Sequence, residues 1–258
     1  MGRIIAVANQ KGGVGKTTTS INLSAALAEE NKKILVIDAD PQGNTTSGFG
    51  LDKNEIDRTI YHLMIGECSV TECIRHDIVE DLPGIDIIPS NINLSAAEIE
   101  LIDIDKKEYI LKNEIDKVKD NYDFIIIDCP PSLSMLTINA LGAADSVLIP
   151  VQPTKYSLDG LADLVKLVIG AQSTYNKNLV FEGIVYTLDT PNQVETRNIK
   201  ADVEDAYGAN IRIHETSIPR LKDISSSPSY GVSVFDIDPD SKGASAYAKL
   251  AREVLENG

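Results

Sequence analysis

Short runs of apolar residues recur along the chain and are separated by longer segments with helical patterns. The apolar runs are continuous rather than alternating, which is typical of strands buried on both faces of a parallel sheet. They cover residues 4–8, 34–37, 85–88, 124–127, 147–151, 180–186 and 211–213. The pattern predicts that strands and helices alternate along the chain.

The segments between these runs predict the helices. Alanine- and leucine-rich or amphipathic patterns cover residues 17–30, 106–120, 158–175, 194–207 and 241–256. Residues 43–110 are the most irregular part, with short helices predicted at 59–65 and 69–74. No repeat, linker or composition shift divides the chain. We therefore expect one domain over residues 1–258, with a single doubly wound, mostly parallel sheet and helices on both faces.

Composition narrows the class of protein. The chain has 258 residues and a formal net charge of -15, which counts against a protein that coats nucleic acid with its whole surface. Three cysteines, Cys68, Cys73 and Cys129, fit no zinc or disulfide framework, so we expect a reduced intracellular protein. No apolar stretch is long enough for a signal segment or a membrane span. These features predict a soluble, cytoplasmic protein.

The segment from residue 9 to residue 19 has the strongest chemical signal, NQKGGVGKTTT. It follows a predicted buried strand and opens a predicted helix, which is the context that a phosphate-binding P-loop needs. Gly12, Gly13 and Gly15 let the backbone N–H groups converge on phosphate oxygens, and the helix N-terminus adds partial positive charge. We expect Lys16 to reach the β- and γ-phosphates and Thr17 to ligate Mg²⁺.

One departure from the usual P-loop pattern is informative. The general pattern would place glycine at position 10, where this chain has Gln10, and the loop carries an extra lysine, Lys11. Two lysines around one triphosphate suit the charge of ATP. The backbone and side chains predicted to bind ATP in this loop are Lys11, Gly12, Gly13, Val14, Gly15, Lys16, Thr17 and Thr18.

Carboxylates follow two of the predicted strands. Asp38 and Asp40 come at the end of the second run, and Asp128 ends the run at 124–127 in the Walker B form. Carboxylates at the carboxyl edge of a parallel sheet beside a P-loop can position the attacking water or hold a metal-bound water. The residues after Asp38 also favour a turn. A turn and a functional carboxylate can occupy the same segment, so the two interpretations are compatible.

These motifs resemble the deviant Walker A ATPases of the ParA/MinD group, and most of all the partition ATPases of ParA/Soj type. The resemblance runs over nearly the whole chain. It rests on KGGVGKTT at 11–18, DADPQGN at 38–44, DCPPS at 128–132, TINAL at 137–141, PVQP at 150–153 and IPR at 218–220.

The resemblance implies a slow, Mg²⁺-dependent and partner-stimulated ATPase with a dimerising switch that segregates DNA or positions cargo. It implies that Lys11 reaches across a homodimer to the partner's ATP. It assigns Lys11, Lys16 and Asp40 to hydrolysis, and Thr17, Asp38 and Asp128 to the Mg²⁺ shell. It also implies a ParB/Spo0J-type activating partner.

The resemblance further implies an adenine pocket and non-specific DNA binding by the ATP-bound dimer. Loops after the late strands would supply Thr187, Pro219 and Arg220 to the base. This chain lacks two arginines that relatives tend to carry, since it has TPN at 190–192 and LKD at 221–223. The remaining cationic candidates for DNA binding are Lys155, Arg197, Lys200, Lys222 and Lys242, with Lys249 and Arg220 as further basic residues. DNA binding would associate the protein with the nucleoid.

Three alternatives remain open at this level. A MinD-like spatial regulator would need a basic amphipathic tail, whereas the residues at 248–258 are acid-balanced, so we expect no membrane binding. A redox ATPase like the nitrogenase iron protein would need two suitably placed cysteines. A module that holds ATP without hydrolysis is disfavoured by the intact Lys16, Thr17, Asp40 and Asp128.

Overall fold

Seven strands of the described residues form one sheet in the structure, a computed structural model that describes residues 2–80, 82–155 and 157–257. Residues 1, 81, 156 and 258 of the predicted domain lie outside that description. The strands are β1 (Arg3–Val7), β2 (Ile34–Asp38), β3 (Ile85–Ile88), β4 (Phe124–Asp128), β5 (Ser146–Val151), β6 (Val180–Asp189) and β7 (Ile213–Pro219). Each pairing between neighbouring strands is parallel.

The sheet has the strand order β3-β2-β4-β1-β5-β6-β7. β1 is flanked by β4 on one side and β5 on the other, so the chain winds first toward one edge of the sheet and then toward the other. In such sheets ligands bind at the carboxyl ends of the strands, at the point where the winding reverses. The loop after β1 therefore lies at this switch point, and the predicted doubly wound α/β fold is confirmed.

Twelve α-helices are assigned within the described ranges and cover both faces of the sheet. They are α1 (Lys16–Glu29), α2 (Asn44–Gly48), α3 (Ile60–Met64), α4 (Val70–Cys73), α5 (Leu94–Glu100), α6 (Ile110–Ile115), α7 (Met135–Ala143), α8 (Ser157–Thr174), α9 (Val194–Tyr207), α10 (Lys222–Ser226), α11 (Val234–Ile237) and α12 (Lys242–Glu256).

Alternate residues of each central strand supply two separate cores. Ile4 and Ala6 pack into the core that includes α7 and α8, whereas Ile5 and Val7 pack into the core that includes α1 and α12. All four side chains are almost completely buried. Because successive side chains of a strand point to opposite faces, a continuous apolar run is what a sheet covered on both sides requires.

The last strand differs from its prediction. We predicted it at residues 211–213, whereas β7 extends over Ile213–Pro219. β7 lies at an edge of the sheet, and only two of its seven residues are buried, while four are half-buried and one is exposed. An edge strand of this kind has no continuous apolar run, so hydrophobicity marked its start and missed the rest.

Two helices also differ from the patterns. Residues 106–120, predicted as one helix, contain only the short α6 between two turns of 3₁₀ helix at Lys107–Tyr109 and Lys119–Asn121. α7 was absent from our predicted helices because seven of its nine residues are buried, which leaves little amphipathic periodicity to read. The short helices predicted in the irregular region, at 59–65 and 69–74, correspond to α3 and α4.

The cysteines also differ from expectation. The structure joins Cys68, which precedes α4, to Cys73, the last residue of α4, in a disulfide, so our prediction that the cysteines form no disulfide is wrong. Cys129 is free and buried, and burial raises the pKa of its thiol above the usual range. A protonated, enclosed thiol is a poor ligand for a cluster, which weakens the redox alternative.

None of the helices in the part of the chain that the structure describes combines the length and apolar character needed to cross a bilayer.

Candidate nucleotide-binding site

The glycine-rich loop between β1 and α1 has the backbone shape of a phosphate cradle. Gly13 has φ +72° and Gly15 has φ +84°, both in the left-handed region that glycine adopts at little cost. A Cβ atom added at Gly12 or Gly13 would meet nothing within 4 Å, so the loop borders open space. α1 begins immediately after Gly15, and the free N–H groups of its first turn contribute partial positive charge there.

A cavity of about 440 Å³ lies against this loop, at the carboxyl ends of the strands. Its walls combine the glycine loop and polar side chains with a group of apolar side chains. The polar group includes Lys16, Thr17, Thr18, Asp40, Gln42 and Asn44, and the apolar group includes Pro131, Leu188, Ile218, Pro219, Ile224 and Tyr247. Such a lining suits a ligand with an anionic part and a flat apolar part.

The two lysines of the loop take different directions. Lys16 is buried, lines the cavity, and donates from Nζ to the Lys11 carbonyl oxygen at 3.1 Å. Burial lowers the pKa of Lys16 below its ordinary value, and Asp128 opposes that effect. Lys11 Nζ instead donates to Thr154 Oγ1 at 2.7 Å, in the loop between β5 and α8. Lys16 therefore faces the cavity of its own chain, whereas the Lys11 ammonium group contacts a neighbouring loop.

Asp128 is the centre of a buried cluster of hydroxyl groups. Its Oδ2 accepts hydrogen bonds from Thr17 Oγ1 at 2.8 Å and from Thr45 Oγ1 at 2.6 Å, and its Oδ1 accepts one from Ser20 at 3.1 Å. Asp128 has no exposed surface. Burial raises the pKa of this carboxyl above its ordinary value, and the hydroxyl donors oppose that effect. The predicted Walker B carboxylate thus lies beside the predicted magnesium ligand Thr17.

Asp38 lies directly across from Asp128 in the pairing of β2 with β4. Its Oδ2 accepts from Thr46 N at 2.8 Å and from Thr46 Oγ1 at 2.7 Å, and its Oδ1 accepts from Asp40 N at 3.2 Å. Burial, reinforced by the charge of Asp128, raises the pKa of Asp38 to about 7. Asp38 therefore positions the turn after β2 through its hydrogen bonds, while its role toward Mg²⁺ stays a prediction.

Asp40 is the carboxylate of this turn that lines the cavity. Its Oδ1 accepts a hydrogen bond from Gln42 N at 2.9 Å, and its carbonyl oxygen accepts one from Ser90 Oγ at 2.8 Å. These bonds fix a mostly buried side chain at the cavity wall. The turn chemistry and the placement of a carboxylate at the site are therefore both present, as the sequence allowed.

The three residues predicted to contact the base do not all lie in one place. Thr187 and Pro219 line the cavity, but the Thr187 hydroxyl donates to the Val14 carbonyl oxygen at 2.7 Å and so braces the glycine loop. Arg220 lines a separate cleft of about 180 Å³ that also includes Gln152 and Thr154. The geometry places two of the three predicted residues at the cavity and Arg220 next to it.

Sequence patterns missed most of the apolar wall. Leu188, Ile218, Ile224 and Tyr247 come from β6, β7, α10 and α12, far from the loop along the chain. Ile218 stands in the IPR motif at 218–220 but was not assigned to the site, and no motif marks the other three. The backbone of Leu188, with φ +50°, is a rare conformation for a leucine at the end of a strand, and this feature appears only in the structure.

The cationic residues predicted for DNA binding do not share one environment. Lys200 donates to Asp189 Oδ2 at 2.6 Å and lies over the ring of Tyr186, so its charge is already paired within the chain. Lys155 and Arg197 are exposed. Lys242 and Lys249 line an open groove of about 770 Å³ between β7 and α12, together with Arg252 and the acidic residues Glu215, Asp240 and Glu253.

The donor set of the site fits a magnesium ion that is shared with phosphate. No three His, Cys, Asp or Glu side chains converge on one point among residues 2–80, 82–155 and 157–257. Mg²⁺ in P-loop proteins needs no such cage, because it keeps several waters and takes one hydroxyl and the phosphate oxygens directly. Thr17 and Asp128 supply the hydroxyl and the carboxylate for that arrangement.

Comparisons with known proteins agree with this geometry. The model of the AAA domain family AAA_31 matches residues 2–181, more than half of the chain. The chain is 46% identical to the sporulation initiation inhibitor protein Soj of Bacillus subtilis (strain 168), with 100% of each chain covered. It is 39% identical to the chromosome partitioning protein ParA of Caulobacter vibrioides (strain NA1000 / CB15N), over 98% of this chain and 94% of the relative.

A solved structure has the same architecture. It is cobyrinic acid a,c-diamide synthase from Mycobacterium smegmatis with bound ATP analog and magnesium, with a TM-score of 0.86 and 32% identity. The match covers 100% of this chain and 96% of the other. Together with the P-loop, the Walker B carboxylate and the extra lysine, these similarities confirm the resemblance: the chain belongs to the AAA_31 family and, within it, to the Soj/ParA group of chromosome-partitioning ATPases.

Proposed function

We propose that this protein is a Mg²⁺-dependent ATPase that dimerises around ATP and uses hydrolysis as a switch to segregate DNA or position cargo. One observation carries the proposal. The two lysines of the glycine loop diverge: Lys16 lines the cavity, whereas Lys11 Nζ lies 2.7 Å from Thr154 Oγ1 in an adjacent loop. A lysine held outside its own cavity is available to neutralise the phosphates bound by a second copy.

The cavity residues divide the chemistry of hydrolysis among them. Lys16 and the loop N–H groups bind the β- and γ-phosphate oxygens and neutralise their charge. Asp40 at the cavity wall orients a water whose oxygen attacks the γ-phosphorus. The bond between that phosphorus and the bridging oxygen breaks, ADP leaves with the electron pair, and the proton of the water goes to solvent or phosphate. Bound Mg²⁺, held by Thr17 and through water by Asp128, would neutralise the phosphate charge.

Dimerisation is tested by sedimentation velocity of the purified protein with ADP or with ATP. We expect a monomer with ADP and a dimer with ATP. The Asp40→Ala dimer should persist longer, because ATP hydrolysis no longer leads to its dissociation. Lys11→Ala should bind ATP as a monomer and fail to dimerise. Lys177→Ala removes an exposed lysine elsewhere and should behave like the unaltered protein.

The dimerisation test has a clear negative outcome. A monomer under every nucleotide condition, or a Lys11→Ala protein that dimerises normally, would contradict the sandwich arrangement. Turnover measured by phosphate release in the same samples separates binding without hydrolysis from hydrolysis without dimerisation.

DNA binding by the ATP-bound dimer is the second part of the proposal. The exposed Lys155 and Arg197, and the Lys242 and Lys249 side chains of the groove beside α12, are doubled in a dimer, which favours phosphate contacts. Retention of the Asp40→Ala dimer on arbitrary duplex should fall steeply as salt rises. No retention at low salt would favour the other reading, a cargo-positioning ATPase that does not touch DNA.

A ParB-type activating partner completes the proposed cycle. The support is the membership in the Soj/ParA group together with the acidity of the chain, whose formal net charge is -15. A basic segment of a partner would be attracted to such a surface and would associate faster at low salt. A salt-sensitive rise of turnover when the partner is added is the expected result.

A further inference from the structure

An unusual concentration of exposed apolar side chains follows β3. Ile92, Ile99, Ile102 and Ile104 are 65%, 73%, 55% and 48% exposed, and they are four of the ten exposed large apolar side chains among the described residues. Single exposed apolar residues are ordinary on protein surfaces, but a cluster indicates a contact with another molecule. This cluster plays no part in the nucleotide cavity.

The cluster borders a small apolar cavity. The cavity has a volume of about 350 Å³ and lies between α3, α5 and α6, with Met64, Ile65, Leu101, Ile104 and Ile110 in its wall. Its one ionisable wall residue is Glu100, whose carboxylate accepts a hydrogen bond from Tyr61 at 3.2 Å. The cavity can therefore accept an apolar side chain and offers a negative charge at its wall.

Acidic residues outnumber basic residues around the cluster. Residues 91–107 contain the four acids Glu98, Glu100, Asp103 and Asp105 and the two bases Lys106 and Lys107, and Lys107 Nζ donates a hydrogen bond to the Ile102 carbonyl oxygen. We call Ile99, Ile102, Ile104 and these four acids of α5 and the following turn the isoleucine surface. A nucleic acid, an anionic lipid headgroup or a second acidic copy would be repelled there.

The isoleucine surface is also linked through hydrogen bonds to the turn after β2, which carries Asp40. The loop between β3 and α5 contains Ser90, whose hydroxyl donates to the Asp40 carbonyl oxygen at 2.8 Å. Ser90 N donates to Thr46 Oγ1 at 2.9 Å, and that hydroxyl in turn donates to Asp38 Oδ2 at 2.7 Å. An occupant of the surface therefore contacts α5, and the loop before α5 is hydrogen-bonded to the turn that carries Asp40.

We propose that the isoleucine surface is the docking site for an amphipathic segment of a partner protein that carries lysine or arginine beside apolar anchors. The apolar anchors bury the isoleucines and fill the adjoining cavity, and the cations pair with the four acids. The inference rests on the proposed function, because it gives the activating partner its place on this chain. It does not depend on which protein supplies the segment.

The test uses a fluorescent synthetic helix of leucine and lysine as the probe, with the full-length protein and ATP. Binding is followed by anisotropy at roughly 50 mM and roughly 500 mM salt. Two comparison peptides replace every lysine by glutamate or every leucine by serine. We expect binding of the leucine–lysine peptide, weakened by high salt, and much weaker binding of both comparison peptides.

Variants locate the binding. Ile99→Ser with Ile102→Ser should weaken binding by about tenfold or more, which is the loss expected from leaving part of two apolar side chains unburied. Ile169→Ser, at an isoleucine that is 50% exposed on α8, is the matched control and should bind like the unaltered protein. Asp103→Asn with Asp105→Asn should reduce the salt dependence, whereas Asp202→Asn with Asp205→Asn should not.

The outcomes separate this inference from the proposed function. Turnover without peptide and the ATP-dependent dimer should be unchanged in the isoleucine variant, since neither residue lines the nucleotide cavity. If turnover and dimerisation are absent from the unaltered protein, the proposed function fails. If both are present but the peptide does not bind, binds the isoleucine variant equally well, or the variant loses its dimer, the docking site is wrong.

Discussion

The paired carboxylates beneath the P-loop make a specific prediction about stability and pH. Asp38 and Asp128 are both fully buried on adjacent strands, and burial together with the charge of Asp128 raises the pKa of Asp38 from its ordinary value of 3.8 to about 7. The folded protein therefore holds a proton on Asp38 that the unfolded chain releases. Because the folded state binds more protons between these two values, its stability falls as pH rises through that window.

The magnitude follows from the size of the shift. A shift of roughly three pKa units corresponds to about 4 kcal/mol at most, of which about 2–3 kcal/mol is lost between about pH 5 and about pH 8. Asp38→Asn removes the titration and should flatten this part of the curve. The variant also places an amide N–H₂ among hydrogen-bond donors, which lowers its stability at all pH values by about 1–3 kcal/mol.

The assay is urea unfolding of the nucleotide-free protein, followed by circular dichroism because the chain has no tryptophan. The informative quantity is the difference in unfolding free energy between Asp38→Asn and the unaltered protein at each pH. Contributions common to both proteins cancel in that difference, including that of His214, whose pKa is lowered by burial. Since Asp38 and Asp128 are coupled, the difference reports the titration of the pair.

The expected difference moves in favour of the variant as pH rises from about 5 to about 8. Asp202→Asn, at an exposed position on α9, controls for the loss of one negative charge and should leave a flat difference. Parallel stability curves for Asp38→Asn and the unaltered protein would refute the proposal that the folded protein holds a proton on Asp38 in this pH range.

Three further predictions concern the loop itself. Thr187→Val should lower the free energy of unfolding in urea by about 1–3 kcal/mol, because it leaves a buried carbonyl oxygen of the glycine loop without its hydrogen-bond donor. Thr174→Val, at an exposed position, is the control and should lower it less. Equal losses would contradict the bracing role of Thr187. Lys16→Ala should weaken ATP binding by about 100-fold in a calorimetric titration, and unchanged affinity would exclude a triphosphate cradle here. Thr154→Val removes the hydrogen bond to the Lys11 ammonium group and should lower the dissociation constant of the ATP-dependent dimer by about two- to tenfold. A weaker dimer would mean that this hydrogen bond orients Lys11 for the partner subunit instead of competing with the partner's phosphates.

Much of the site could be predicted from the sequence because its residues are adjacent along the chain. The glycine loop needs specific backbone angles at Gly13 and Gly15, and the residues that permit them stand in one short motif between a strand and a helix. The same holds for Asp38 and Asp128, because each ends a continuous apolar strand. Local pattern and parallel-strand geometry together place these groups at one edge of the sheet.

Other features were decided only by packing between distant segments. Tyr247 reaches the nucleotide cavity from the last helix, Thr187 supports the loop through a hydrogen bond to residue 14, and Arg220 lies in the neighbouring cleft. β7 is an edge strand without a continuous apolar run, so its pairing with β6 had no clear local signature. The alternation of strands and helices, the phosphate loop and its carboxylates follow from local sequence, because they depend on residues that are near neighbours along the chain. The walls of the cavity and the direction of Lys11 follow from packing, because they depend on which remote side chains the sheet brings together.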